Sequence, residues 1–125
     1  MNGTPHELPM AESRLIKTPV GSAIGISHRW EAGQYCAILT RKGLLGCGIY
    51  DLACADEFHF AFALAKGTPE RPLVEPEDLL SARVVKVSQA AREMGMIEGM
   101  TGQEALEKLL LAEQRPAVAA ESSVH

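Results

Sequence analysis

Cys47 and Asp51 are the residues with the clearest chemical potential, a thiol and a carboxylate set in Gly46-Cys47-Gly48-Ile49-Tyr50-Asp51. The stretch reads as a buried strand, opened by two glycines, that runs into a helix. Glycine inside a strand marks a bulge or a close approach by another backbone or a ligand. Gly46 and Gly48 are therefore candidate binding positions, where a small molecule would approach the sulfur. A helix start favours negative charge, and the thiolate is the nucleophilic form of cysteine. Cysteine catalysis also needs a base within reach, and Asp51 or His28 would be that polar assistant. One reading is thus a cysteine-dependent enzyme acting on a small molecule through Cys47.

Each of these residues also has a plainer account. Free cysteine packs as a small hydrophobe, so Cys47 is expected to be sealed and inert. Asp51 is a good N-cap. His28 ends a strand beside Arg29 and Trp30, where a surface histidine is the default, and His59 lies in an apolar helix. Cys36 and Cys54 read as core positions. A zinc site needs four ligands with pair spacing, which Cys36, Cys47, Cys54, His28 and His59 lack, so no metal and no cofactor is expected. Gly99-Met100-Thr101-Gly102 feeds amides into a helix start but lacks the Lys-Ser/Thr of a phosphate loop; it reads as a structural turn. The favoured reading is a non-enzymatic module that binds a small ligand or a protein partner.

The elements that must position these residues are predicted as an α+β domain. N-terminal antiparallel hairpins form a small sheet from Arg14–Thr18, Val20–His28, Tyr35–Thr40 and Leu44–Tyr50, with Arg41-Lys42-Gly43 as a tight turn in which glycine supplies a positive φ. A heavily buried helix follows from Asp51 to Lys66, ended by Gly67. A proline-rich loop over 68–76 leads to one helical turn at 77–80, a strand at Arg83–Val87 and a short helix over Gln89–Met94 capped by Ser88. Thr101 and Glu104 form a capping box that opens a last helix through Leu111. Residues 1–12 and 112–125 read as disordered tails around a single domain over 13–111, and His125 as solvated.

Composition narrows the partners. The chain has 125 residues, 46% apolar and 22% charged, with a net charge of −4. Its twelve Lys and Arg are scattered, whereas nucleic-acid binding needs clustered basic charge. No apolar run reaches the length of a bilayer span, and the first residues do not read as a secretory signal. Three cysteines without pair spacing suit reduced thiols in a cytoplasm. Tyr35, Ala37 and Leu39 on one face of their strand, and Cys36 and Ile38 on the other, are all apolar. A strand buried on both sides needs two covers; the helices supply one, and a second subunit is expected to supply the other.

Arg41-Lys42-Gly43-Leu44-Leu45-Gly46-Cys47-Gly48 with Asp51 resembles the hairpin segment of the YunC-like family of small bacterial and archaeal domains of unknown function. So do Asp78-Leu79-Leu80, Val84 with Val87, Ala90-Ala91, Gly95, and Gly99-Met100-Thr101-Gly102 with Glu104-Ala105-Leu106. The resemblance covers roughly residues 20 to 111. It implies an α+β fold whose N-terminal sheet region mediates tetramerisation, and it implies no activity. Around residues 60 to 74 this chain departs from the family, with an aromatic-rich helix and a proline-rich loop in place of a more polar, glycine-containing segment.

Overall fold

The structure is a computed structural model and describes residues 8–114. Its front half is a meander of four antiparallel strands: β1 (Met10–Lys17), β2 (Ser22–Trp30), β3 (Gly33–Leu39) and β4 (Leu44–Cys47). Two of the turns use the same device. Thr18 and Thr40 each place a hydroxyl where the amides of the turn donate to it, Val20 and Gly21 in the first, Lys42 and Gly43 in the second. Short polar side chains favour turns for this reason. Gly43 does not supply the positive φ expected of it; among the described residues only Gly95, Gly99 and His59 have one. It is small because a Cβ there would sit 2.2 Å from the carbonyl oxygen of Ala61.

The back half adds α1 (Leu52–Glu57), β5 (Phe62–Lys66), α2 (Asp78–Ser81), β6 (Arg83–Val87), α3 (Gln89–Glu93) and α4 (Gly102–Gln114). β5 pairs parallel to β4 and β6 antiparallel to β5, giving one mixed sheet in the order β1-β2-β3-β4-β5-β6. Parallel neighbours need a crossover, and α1 lies within it.

The helix expected over 51–66 is therefore two elements. Asp51 caps its start, accepting from the Ala53 amide at 3.0 Å. Its end comes at Phe58, where the Phe60 amide donates to Ala55 at 2.7 Å and the His59 amide to Asp56 at 3.2 Å. This is the helix-ending pattern that normally has glycine in the left-handed position. Here His59 occupies it, at φ 58°, so the stop carries no glycine for the sequence to show. The apolar run beyond it, Phe62-Ala63-Leu64-Ala65, is a central strand. Cys54, expected in the core, is exposed, because only Ala55 of α1 is buried. α4 takes the role of the buried helix.

The two faces of the sheet have different fates. Cys36, Ile38, Leu45, Cys47, Ala63, Ala65, Val84 and Val87 meet Leu79 of α2, Ala90 and Ala91 of α3, and Leu106, Leu109 and Leu110 of α4 in one core. At the β1–β2 end of this face the segment before α2 is clasped by charge. Arg14 donates to Glu77 at 2.7 and 2.8 Å and to Glu75 at 2.6 Å, and Arg29 pairs with Glu75. The hydrogen bond from Arg14 holds the Glu77 carboxyl below its ordinary range. On the opposite face the register aligns Leu15, Ile24, Leu39, Leu44 and Phe62 in one row across five strands. Leu15, Ile24 and Leu39 remain 54%, 43% and 37% exposed, so no element among the described residues covers that end.

β1 begins at Met10, inside the stretch read as a tail, and α4 runs to Gln114, beyond the expected Leu111. The remaining tail readings, over residues 1–7 and 115–125, lie outside the described residues.

Two substitutions test these local signals. The capping box is formed, with Glu104 N–H donating to Thr101 Oγ1 at 3.1 Å and Thr101 N–H to Glu104 Oε1 at 2.8 Å. Thr101→Ala should cost about 1 kcal/mol, read as a lower denaturant midpoint. His59→Val, which puts a β-branched residue in the left-handed region, should cost about 1–2 kcal/mol, whereas His59→Asn should leave the midpoint nearly unchanged.

Candidate functional site

The chemistry-bearing residues meet at the C-terminal end of β4. The last laddered pair of the β3–β4 hairpin is Ala37 with Gly46, so one step further Cys36 stands opposite Cys47 on the helix-covered face. The Cys47 thiol is lowered from its ordinary 9.0 to about 6, chiefly by the neighbouring Cys36 side chain and also by the Ile49 backbone, against the opposing effect of burial. A neighbour that favours the charged form lowers a thiol in this way. Cys36 is pushed up by its neighbour Cys47 and by burial. Cys36 is fully enclosed, while Cys47 keeps 9% of its surface exposed. Ser27 follows in the same cross-strand row, opposite Cys36. It is buried, and its Oγ has no hydrogen-bond partner among the described residues.

On the other face of β4, Gly46 makes room for an aromatic ring rather than for an approach to the thiol. A Cβ at Gly46 would lie 2.7–2.8 Å from Cδ2 and Cε2 of Tyr50 and 2.7 Å from Leu44 Cδ2. Tyr50 is the middle of an aromatic chain across this face, with edge contacts to Tyr35 at 5.9 Å and Phe62 at 6.0 Å between ring centroids. Tyr35 in turn meets His28 at 4.7 Å and Trp30 at 6.0 Å, and Phe62, Phe60 and Phe58 are stacked. Burial raises the Tyr50 phenol above its ordinary value, so it is neutral at neutral pH and acts as a packing group.

A Cβ at Gly48 would meet nothing within 4 Å. Gly48 opens onto a cleft of about 670 Å³ lined also by Tyr50, Asp51, Leu64, Lys66, Val85 and Lys86. The cleft lies outside the carboxyl end of the parallel pair β4–β5, where open sheets containing such pairs often take ligands. Asp51 is on its wall, with one carboxylate oxygen spent on the Ala53 amide. His28 pairs with Tyr35, and Cys36 with Ser27, so His28 and the Cys47 thiol lie on opposite faces of the sheet. The structure brings Gly48 and Asp51 together at the cleft and does not bring His28 to the thiol. Among the described residues no group of three or more His, Cys, Asp and Glu is placed to hold a metal.

A family model described as a domain of unknown function, DUF1805, matches residues 46–109. The chain belongs to the DUF1805 family. The matched segment starts at Gly46 and takes in the end of β4, the crossover, the clasped segment, α1 to α3 and α4 as far as Leu109. A search of the curated proteins finds no match. Among solved structures the chain is similar to TA1206, a protein of unknown function from Thermoplasma acidophilum, at 20% identity and a TM-score of 0.72. The likeness covers 82% of this chain and 96% of that one, and it shows the fold.

Sequence reasoning treated Cys36 only as a core residue of this DUF1805 domain, and it overlooked Ser27 and Tyr50. A signal for the thiol pair existed. With Arg41 and Lys42 as the two turn residues, Thr40 pairs with Gly43, and counting back along both strands sets Cys36 opposite Cys47. Reading the turn as three residues shifts that count by one.

The two glycines make a paired test. Gly46→Ala should destabilise by about 1–3 kcal/mol, the usual cost of overpacking, and should change the near-UV circular dichroism of the displaced Tyr50 ring. Gly48→Ala, facing open space, should change the denaturant midpoint by less than about 0.5 kcal/mol.

Proposed function

We propose that this chain is a YunC-like, non-enzymatic binding module that assembles with copies of itself, as a homotetramer, through the open face of its sheet. The observation that carries the reading is the row Leu15, Ile24 and Leu39, exposed on one face and continuous with Leu44 and Phe62. Trp30 on the same face and the stacked Phe58 and Phe60 are also exposed, at 44%, 58% and 49%. Contiguous apolar surface of this kind marks an interaction site. It lies on the N-terminal strands, the region through which the resemblance to YunC-like proteins implies tetramerisation. Obligate interfaces bury on the order of 2,000 Å² or more and resemble a domain core cut in half. A homo-oligomer supplies such a cover with no further partner.

The cleft beside Gly48 and Asp51 fits a small-molecule ligand in the same module. Its lining combines Lys66 and Lys86 with the apolar Leu64 and Val85, the mixture of apolar wall and few polar groups that ligand sites use. No helix among the described residues is long and apolar enough to cross a membrane, and we place the module in the cytoplasm on its reduced cysteines.

Size exclusion coupled to light scattering at micromolar concentration tests the assembly. A tetramer is expected, and a clean monomer near 13.5 kDa would sink the proposal. Ile24→Lys, which puts a charge into the apolar row, should shift the distribution to smaller species, whereas Gln103→Lys, at an exposed position of α4, should not.

A further inference from the structure

We propose that Cys47 and Cys36 are a reactive dithiol, in which Cys47 is the attacking sulfur towards small-molecule disulfides and Cys36 the resolving one, so that the chain closes a reversible internal disulfide. The argument starts from placement. Residues directly opposite in an antiparallel pair have Cα atoms roughly 4.5–5.5 Å apart, inside the span of about 4.4–6.8 Å that a disulfide bridges. The two side chains share one face and belong to the same buried cluster. Their environments are unequal in the way that sequential chemistry needs. Cys47 keeps an exposed edge while Cys36 has none, so a reagent from solvent meets Cys47 first. Gly48, the next residue along the chain, has open space where a Cβ would point. The Ile49 amide stabilises negative charge on the Cys47 sulfur.

The chemistry balances with a low-molecular-weight disulfide, R–S–S–R, as oxidant. The Cys47 thiolate attacks one sulfur; the Cys47–S bond forms, the S–S bond of the reagent breaks, and one RS⁻ leaves. Cys36 then gives up its proton and attacks Cys47 Sγ, forming Cys36–Cys47 and releasing the second RS⁻, which takes that proton. The protein loses two electrons and the reagent disulfide gains them as two thiols. Ser27, buried in the same row with a free hydroxyl, is a donor for the charge that appears on Cys36 as its proton leaves. The site is on the helix-covered face, so it operates whether or not the open face is occupied by other copies.

The experiment uses the full chain carrying Cys54→Ser, which removes the exposed third thiol, and oxidised glutathione as the disulfide. Samples are quenched with N-ethylmaleimide at intervals and mapped by mass spectrometry. A glutathionyl adduct should form on Cys47, decay, and give way to a Cys36–Cys47 disulfide that dithiothreitol reopens. Adding Cys36→Ala should raise the steady level of the Cys47 adduct by about an order of magnitude, because the thiol that consumes it is gone. Adding Cys47→Ala should leave Cys36 unmodified. An adduct appearing first on Cys36, a Cys47 adduct that persists while Cys36 is present, or native protein that fails to react while its urea-unfolded form does, would each overturn the proposal. If either alanine variant does not fold, the order of events on the Cys54→Ser parent decides alone.

Discussion

β4 has only four residues, and all four are buried. It is hydrogen-bonded to an antiparallel neighbour on one side and a parallel neighbour on the other, and it must be covered on both faces as well. The rest of the structure follows from meeting these demands at once. Leu45 and Cys47 face the helices, which come from the far end of the chain. Leu44 and Gly46 face the other way, and the cover they receive comes from nearby: Tyr50 folds back over Gly46 as the chain leaves the strand. The parallel pairing with β5 requires a crossover, which the chain makes with a short helix and an abrupt left-handed stop. A residue larger than glycine at 46 would lift the ring and uncover the strand.

Much of this was legible in the sequence. The antiparallel meander, the strand Arg83–Val87, the Ser88 and Asp51 caps and the Thr101–Glu104 box all have local causes, written in residues next to one another. The error over 51–66 has an equally local origin. Leu52, Ala55, Phe58, Phe62 and Ala65 fall at helical spacing, and the element change at His59 is made by a residue that only occasionally takes a positive φ. A four-residue apolar run cannot distinguish a buried strand from a buried helix by periodicity alone. Gly67 then drew the helix end to itself, although its smallness reflects the close approach of Arg71 and Leu73.

The candidate site was half legible. Cys47, Gly48 and Asp51 lie close in sequence and all border the end of β4. The partner of Cys47 was not found, since that required the hairpin register to the residue, and a shift of one exchanges the faces of the whole strand. His28 fails as a partner for the same reason. A histidine and a cysteine two strands apart in one sheet are still separated by its thickness when they point to opposite faces.

The strand order β1 to β6 follows the chain from end to end, and α4 comes last. During synthesis the first four strands emerge with only near neighbours to find, and hairpins of this kind close within microseconds, far faster than a ribosome adds residues. The growing chain thus holds a four-stranded sheet whose two apolar faces are both bare until the helices that follow it leave the exit tunnel. That interval, rather than the finished domain, is when this protein has most to gain from a chaperone.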